Sequence, residues 1–412
     1  MVPQDSPDVC DHVVIGARDV QTPPWSAKRS LTARTMIARR EDKESAMSHN
    51  ISRRTMIAGL ACATVLFQTS CASASDDQAR SDTKAVHEPL QVLDMHADTI
   101  DQLAMAAHTP YSRFDDTFTG TLASTNAQVS ADRMGDARWV QCYSIWIPDN
   151  EGDDKGDVSA IAWYREAVQW FKGQMETCSN RIAQARRFSD ITSILDEGKV
   201  AAILTVENAA CLDEGIEVVD EFANDGVLIA GITWNYKNVL GAGNQYPEVG
   251  LSDLGRDYLA TLEDHGIVAD VSHLNDVGFW EVETIATKPY VATHSNSRAV
   301  CDHPRNLTDE MFAAIVKRKG LVGLNLNQGF VHKDSGTYTF DELAAHVERW
   351  LDLGGEDIIA LGSDRDGAFI PSWLADCSSQ PHLFDRFCER IGETITRKLF
   401  FGNAMRLFSS LD

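Results

Sequence analysis

Residues 200–207 read Val-Ala-Ala-Ile-Leu-Thr-Val-Glu, an almost continuous apolar run that ends in a carboxylate. Such a run is typical of a strand in a parallel sheet, because helices cover both faces of that sheet. Seven similar runs occur along the chain, separated by stretches with helical spacing. The predicted strands cover residues 90–98, 139–147, 200–207, 227–234, 267–273, 290–295, 321–326 and 358–364, and the clearest predicted helices cover residues 160–177, 254–265, 309–319, 339–353 and 383–399.

This alternation predicts an α/β protein whose strands close into a (β/α)8 TIM barrel. Eight strand and helix units in about 320 residues suit a closed barrel better than an open sheet. An open, doubly wound sheet is the alternative. It is disfavoured because no Gly-x-Gly-x-x-Gly follows the first predicted strand, as a dinucleotide enzyme would require.

Side chains that bind metals or move protons stand at the carboxyl ends of five predicted strands. Active sites of (β/α)8 barrels are built at that end, where the strand ends converge. We therefore expect these side chains to meet at one mouth of the barrel. They are His96, Asp98, Glu207, His273, His294 and Asp364.

The residue types at these strand ends predict a centre with two metal ions. His96 and Asp98 are two residues apart on a strand, so both side chains lie on one face and can reach one ion. His273 and His294 could hold a second ion, with Glu207 between the two. Imidazole and carboxylate ligands suit Zn²⁺, although manganese and cobalt accept the same ligands.

Such a centre predicts a barrel of the metal-dependent hydrolase type. Two ions about 3.5–4 Å apart lower the pKa of a shared water and polarise a carbonyl, as hydrolysis of an unactivated amide requires. Asp364 is the candidate general base or acid beside that water. Taken singly, a histidine at a strand end is more often structural. The prediction therefore rests on all six strand-end residues taken together.

Composition excludes several other classes. The chain has 412 residues, is 43% hydrophobic and carries a formal net charge of -24. A nucleic-acid partner is not expected, since binding phosphates requires a basic surface. The nine cysteines form no Cys-x-x-Cys pair, which argues against a zinc finger or a small disulfide scaffold.

The first 87 residues predict export rather than a folded domain. Ser52-Arg-Arg54 precedes an apolar run over residues 56–67 and then a small, polar stretch, which is typical of a twin-arginine signal. Cys71 is a candidate lipid attachment that would tether the protein to a membrane. We therefore expect an extracytoplasmic or cell-envelope location, with residues 1–46 as an upstream extension, 47–87 as export signal and linker, and 88–412 as the barrel.

Six ordered segments resemble the renal (membrane) dipeptidase family, peptidase family M19, of the amidohydrolase superfamily. The resemblance covers residues 90–408 and ends in Phe401-Gly-Asn-Ala-Met-Arg-Leu-Phe408. It implies a zinc barrel that cleaves dipeptides, including those with a C-terminal D-residue, and it suggests a homodimer. The segments are Asp94-Met-His-Ala-Asp98, Thr205-Val-Glu-Asn208, Asp270-Val-Ser-His273, Ala292-Thr-His-Ser-Asn296, Pro304-Arg-Asn306 and Gly362-Ser-Asp-Arg-Asp-Gly367.

The resemblance implies a role for each metal ligand. His96, Asp98 and Glu207 would bind the first zinc ion. Glu207, His273 and His294 would bind the second, so that Glu207 bridges both and the attacking hydroxide lies between the ions. Two divalent ions per chain follow from this assignment.

The resemblance also implies roles for residues that bind no metal. Asp364 matches the active-site aspartate, and Arg305 matches the arginine that receives the substrate carboxylate. Trp234 stands where mammalian members have a histidine, so we expect polarisation of the substrate carbonyl to come from the metals or from Asn235. Arg365 replaces a usual aromatic residue and is expected to alter the charge near the site.

Two other functions stay open on the sequence. One is a different amidohydrolase, such as a lactonase, deaminase or phosphotriesterase. Most of those begin with His-x-His, and their binuclear members commonly bridge the ions with a modified lysine, whereas this chain has His96-Ala-Asp98 and Glu207. The other is an inactive barrel that serves as a binding protein.

Overall fold

The computed structural model describes residues 89–105, 118–149, 158–333 and 336–411. The predicted upstream extension and the export signal with Cys71 lie outside the described residues. Within those residues, no helix is both long enough and apolar enough to cross a membrane.

Nine parallel strands form one sheet in the described part of the chain. All eight predicted strands are present. The ninth, at residues 182–184, was not predicted because its sequence, Ile-Ala-Gln, does not belong to a longer apolar run. The strands are β1 Gln91–Ala97, β2 Arg138–Trp146, β3 Ile182–Gln184, β4 Val200–Glu207, β5 Val227–Gly231, β6 Val268–Asp270, β7 Val291–Ala292, β8 Leu321–Leu324 and β9 Ile359–Leu361.

Pairing between β2 and β4 closes the sheet into an eight-stranded barrel. β1 lies between β2 and β9, and the remaining strands pair in sequence from β4 round to β9. β3 adds to the first residues of β4, where Ile182 pairs with Val200. The closed barrel confirms the predicted (β/α)8 fold, and the doubly wound alternative is wrong.

The barrel is held together by apolar strands that are buried on both faces. Every residue of β4 is buried, as the run at residues 200–207 predicted. Val140, Ile203 and Val268 belong to one apolar cluster that draws on strands around the whole barrel. Each such side chain contributes roughly 1.5–3 kcal/mol when it is fully buried.

Helices cover the outside of the barrel. The predicted helices at 160–177, 254–265, 309–319 and 339–353 are present within one residue at either end. The α-helices are α1 Ala131–Met134, α2 Ala160–Thr177, α3 Asp190–Asp196, α4 Val218–Asp225, α5 Asp253–Asp264, α6 Asp276–Ile285, α7 Asp309–Arg318, α8 Gln328–Val331, α9 Phe340–Asp352, α10 Gln380–Ile391, α11 Glu393–Arg397 and α12 Asn403–Phe408.

The predicted helix over 383–399 is wrong in one respect, because it is interrupted. α10 ends at Ile391, and Gly392 has a φ of +84°, which lies in the left-handed region. Glycine adopts that conformation without a steric penalty and commonly ends a helix. α11 then begins at Glu393.

Several strands are shorter than predicted at their carboxyl ends. β6 ends at Asp270 and β9 at Leu361, so His273 and Asp364 lie in the loops that follow. His273 has a φ of +71° and Asp364 a φ of +59°. A residue with left-handed backbone cannot continue a strand. Its side chain no longer follows the alternation between the two faces of the sheet.

Candidate metal centre

The first predicted ligand group forms where β1 and β4 end. His96 lies near the end of β1, and Asp98 follows that strand directly. His96 Nε2 is 3.6 Å from Asp98 Oδ1 and 3.6 Å from Glu207 Oε2. All three side chains are buried. The structure therefore brings together the three residues that were predicted to hold the first ion.

The second predicted group meets the other oxygen of the same carboxylate. Glu207 Oε1 is 2.7 Å from His273 Nε2 and 3.7 Å from His294 Nε2. The two imidazole Nε2 atoms are 2.9 Å apart. Glu207 thus lies between the two groups, with one oxygen toward each.

Donor atoms around His96 are spaced to fit divalent ions, in two sets that differ from the two predicted groups and do not include His273. His96 Nε2 and Glu207 Oε2 are buried and accept no hydrogen bond from any described residue. Ligand atoms of His96, Glu207 and His294 lie within 4.8 Å of one another, as do those of His96, Asp98 and Asp364. Nitrogen and carboxylate oxygen at such spacing are the ligands that zinc, manganese and cobalt take.

Protons compete for the same atoms. Burial would lower the pKa of His96, but the adjacent Asp98 and Glu207 carboxylates outweigh it and raise that pKa well above its ordinary value. Burial would raise the pKa of Glu207, yet the His273 and His96 side chains lower it well below its usual range. Because a ligand must be deprotonated, metal binding here displaces protons and weakens in acid.

Asn235 orients one of the histidines. Its Oδ1 accepts a hydrogen bond from His273 Nδ1 at 2.9 Å and another from Asn244 Nδ2 at 2.9 Å. With the proton held on Nδ1, the Nε2 lone pair of His273 faces Glu207. Burial, followed by the charge of Arg305, lowers the pKa of His273 to about 3, so this imidazole is neutral. The sequence did not predict this contact for Asn235.

Thr293 and Asp270 orient the other histidine. The Thr293 hydroxyl donates to Asp270 Oδ2 at 2.5 Å and lies 2.8 Å from His294 Nδ1. Because that hydroxyl proton is committed to the carboxylate, the hydroxyl oxygen accepts from His294 Nδ1. Nε2 of His294 is then left as the acceptor facing Glu207. Both orienting residues were missed, because the hydrogen bond between Thr293 and Asp270 joins residues at the ends of two neighbouring strands.

Asp364, the predicted proton-transfer group, lies beside His96 and Asp98. Asn325, at the end of β8, donates to Asp364 Oδ2 at 3.0 Å. Burial, followed by the negative charge of Asp98, raises the pKa of Asp364 to about 7. A carboxyl group that titrates near neutrality can both accept and release a proton, although a divalent ion beside it would lower that pKa. Asn325 was not singled out from the sequence, although it stands at a strand end.

Arg305 places a fixed positive charge beside the histidines. Its side chain is buried, with Nη2 donating to the His294 carbonyl at 3.3 Å and Nη1 to Ser295 Oγ at 3.4 Å. Burial lowers the pKa of Arg305 only to about 10, so it stays cationic at neutral pH. Two long hydrogen bonds leave the guanidinium able to bind a carboxylate.

Trp234 forms part of an aromatic wall at the same end of the barrel. Its ring packs edge-on against Trp146, with centroids 5.2 Å apart, and lies 6.0 Å from the His273 ring. Trp234 therefore packs among aromatic rings beside the candidate metal ligands.

The described barrel resembles proteins of known family. A family model described as membrane dipeptidase (Peptidase family M19) matches residues 80–412. An uncharacterized protein of Klebsiella pneumoniae is 30% identical over 268 residues, which are 62% of this chain and 98% of that protein. An uncharacterized dipeptidase of Schizosaccharomyces pombe is 27% identical over 50% of this chain and 51% of its own length.

Solved structures show the same likeness. A metallo peptidase of Rhodobacter sphaeroides, liganded with a phosphinate mimic of the dipeptide L-Ala-D-Ala, is 26% identical with a TM-score of 0.67. The match covers 78% of this chain and 99% of that one. Dipeptidase AC, a metallo peptidase of family M19, is 26% identical with a TM-score of 0.66, over 78% of this chain and 98% of its own.

Proposed function

The chain belongs to the membrane dipeptidase family, peptidase family M19, and from that premise we propose that it is a dipeptidase that uses two divalent metal ions. The proposal includes dipeptides with a C-terminal D-residue. The observation that carries it is the Glu207 carboxylate, whose two oxygens face two separate groups of metal-binding side chains.

Each group would hold one ion. His96, Asp98 and Glu207 would bind the first, and Glu207, His273 and His294 the second. Zinc fits both sets, because each combines imidazole nitrogen with carboxylate oxygen. When bound, the pair of ions would supply a water of lowered pKa and polarise the carbonyl of the scissile bond.

Arg305 would bind the free carboxylate of the substrate. A buried guanidinium close to the histidines favours a small substrate whose own anionic end lies one residue from the bond to be cleaved. A dipeptide meets that condition. The Rhodobacter sphaeroides neighbour is liganded with a mimic of L-Ala-D-Ala, which supports D-residues at the carboxyl side of the substrate of this chain as well.

Asp364 would move the proton. It would accept a proton from the attacking water and deliver it to the nitrogen of the leaving amino acid, as general acid–base catalysis requires. The hydrogen bond from Asn325 Nδ2 holds the carboxylate in place while it does so.

A substrate panel on the zinc-loaded protein tests this proposal. We expect hydrolysis of L-Ala-L-Ala and L-Ala-D-Ala, but not of L-Ala-D-Ala amide, which lacks the carboxylate that Arg305 would bind. Metal analysis on the same sample should find close to two ions per chain. Glu207→Gln should lose both metal and activity, whereas Glu214→Gln, at the exposed end of the 3-10 helix Ala210–Glu214, should keep both. A wild-type protein that holds metal but cleaves a lactone or an amide-blocked dipeptide instead would refute the dipeptidase assignment.

We also propose that residues 47–87 direct export by a twin-arginine route, with Cys71 as the candidate lipid attachment and residues 88–412 as the exported enzyme. The paired arginines before the apolar run of residues 56–67 support this. Changing Arg53 and Arg54 together to lysine should leave the protein in the cytoplasmic fraction. Unchanged fractionation would refute the route. A homodimer is proposed on the family resemblance alone, and sedimentation of the purified protein tests it.

A further inference from the structure

Arg365 is a fully buried charge that the proposed chemistry does not use. It was expected to alter the charge near the site. Its guanidinium instead contacts Asp94, with Nη1 3.9 Å from Asp94 Oδ2, and donates from Nη2 to Ser379 Oγ at 3.2 Å. Nε and Nη1 have no hydrogen-bond partner among the described residues. The side chain is therefore held chiefly by its ionic contact and by packing.

Asp94 connects this charge to the end of β1. Its Oδ1 accepts hydrogen bonds from the backbone N–H of Ser363 at 2.8 Å and of His96 at 3.3 Å. Its Oδ2 accepts from the Ser363 hydroxyl at 2.5 Å. One buried carboxylate thus links the guanidinium, the turn after β9 and the backbone of a metal-binding histidine.

The turn itself is joined to β1 by the backbone. The Asp98 N–H donates to the Arg365 carbonyl at 2.9 Å, and the Asp364 N–H donates to the His96 carbonyl at 3.1 Å. Any shift of Arg365 would therefore move Asp98 and Asp364 together.

The same turn is conformationally strained. Asp364 and Asp366, on either side of Arg365, have φ values of +59° and +66°. Such residues persist only where surrounding contacts hold them. Asp366 has its own contacts, from Thr99 Oγ1 at 2.7 Å and the Gln128 N–H at 2.7 Å. The first half of the turn is held by the hydrogen bonds of Ser363 to Asp94 and of Asn325 to Asp364, and Arg365 contacts the same Asp94 carboxylate.

We propose that Arg365 is a positioning residue for the metal centre: its contact with Asp94 fixes the turn so that Asp364 and Asp98 face His96. Removing one partner of a buried ion pair is destabilising, so a loss of fold stability alone would not establish this role. The catalytic part of the inference rests on the proposed dipeptidase function. The positional part does not.

The test compares Arg365→Met and Arg365→Lys with Arg318→Met. Arg318 is a partly buried arginine that pairs with Glu283 on the outside of the barrel. Hydrogen–deuterium exchange should show the Asp98 and Asp364 amides exchanging at least tenfold faster in Arg365→Met. With L-Ala-D-Ala, kcat should fall about 10- to 100-fold while KM changes less than threefold, since a small displacement of reacting groups acts on the chemical step.

The other variants separate positioning from stability. Arg365→Lys keeps the charge but lacks the planar guanidinium group. Its amide exchange at Asp98 and Asp364 and its kcat should therefore lie between those of the wild type and Arg365→Met. Arg318→Met should lower Tm while leaving exchange at Asp98 and Asp364 and kcat unchanged. If Arg365→Met lowers Tm but leaves exchange at the two amides and kcat at the wild-type values, its role is structural only and the proposal is overturned. If Arg365→Met does not fold, wild-type values for both readouts in Arg365→Lys overturn it. If the wild type hydrolyses no dipeptide, the proposed function fails. The exchange measurement still tests whether Arg365 positions the turn.

Discussion

Removing the amide of Asn235 should weaken metal binding without disturbing the barrel. In Asn235→Ala, the Nδ1–H of His273 loses the oxygen that it contacts at 2.9 Å. The imidazole can then rotate or move its proton to Nε2, the atom that lies 2.7 Å from Glu207 Oε1. A protonated Nε2 cannot bind an ion, so the loss falls on the ion held by His273.

The size of the effect follows from the hydrogen bond that is lost. Loss of a partner to a metal-binding histidine typically costs 10- to 100-fold in metal affinity, which is about 1.4–2.7 kcal/mol. Leaving a buried N–H unpaired costs about 1–3 kcal/mol, a range that agrees. We therefore expect Asn235→Ala to bind its second ion about 10- to 100-fold more weakly, with the first ion unchanged.

A chromophoric chelator titrated against the zinc-loaded protein measures both affinities. Asn235→Asp keeps an oxygen acceptor facing His273 and should retain wild-type or tighter binding, because a carboxylate raises the basicity of the ligand. Asn224→Ala, on an exposed position of α4, is the matched control. Equal affinities for both ions in Asn235→Ala and the wild type would refute the idea that Asn235 orients His273.

Three further predictions concern pH, substrate binding and metal removal. His346 is buried and neutral, accepting from the Ser297 N–H at 3.1 Å and donating to the Val331 carbonyl at 3.1 Å. Burial lowers its pKa from 6.5 to about 4. Below pH 6.5 the unfolded chain therefore takes up a proton that the folded chain does not. The free energy of unfolding is highest above pH 6.5 and falls by about 3 kcal/mol as the pH is lowered to 4. Urea unfolding between pH 7 and pH 4.5 should show this slope, and the slope should be flatter in His346→Gln; parallel curves would contradict it. Arg305→Met should raise KM for L-Ala-D-Ala about 10- to 100-fold, the loss of a charged hydrogen bond of about 1.5–3 kcal/mol, with a smaller change in kcat. Steady-state kinetics in which only kcat falls would remove Arg305 from substrate binding. Chelation should abolish hydrolysis and lower Tm, since ions that bind only the folded state at 100 times their Kd add about 2.7 kcal/mol of stability for each site. Calorimetry with and without added zinc measures this shift, and activity that survives complete metal removal would rule out metal-dependent hydrolysis.

The barrel was predictable because its strands are buried on both faces. β4 has the bounds that its apolar run predicted, Val200–Glu207, since every residue of that strand is buried. That the candidate metal ligands lie close together was predictable for a related reason. A histidine or carboxylate directly after such a run must lie at the mouth of the barrel, and His96 and Glu207 do so.

Contacts between strands were not predictable in the same way. Asn325 donates to Asp364, and Asp270 accepts from the Thr293 hydroxyl that contacts His294, but no local pattern indicates either pairing. These contacts depend on how neighbouring strands are staggered, which only the closed barrel determines. The left-handed φ of His273 was likewise hidden, because left-handed backbone is uncommon for a histidine and sequence alone gives it no signal.

The left-handed residues at the barrel mouth matter for any effort to make this protein tolerate heat. Asn208, His273, Asp364 and Asp366 each adopt a φ that glycine would accept at lower energy. Glycine would relieve roughly 1 kcal/mol of backbone strain at each position, but at Asn208 and Asp366 it would also remove buried hydrogen bonds, to Asp149 Oδ1 and from Thr99 Oγ1. The other two are a predicted metal ligand and the predicted proton carrier, so glycine there would remove a residue of the candidate site. A library for this protein should hold these four codons constant and seek its stability on the outer helices.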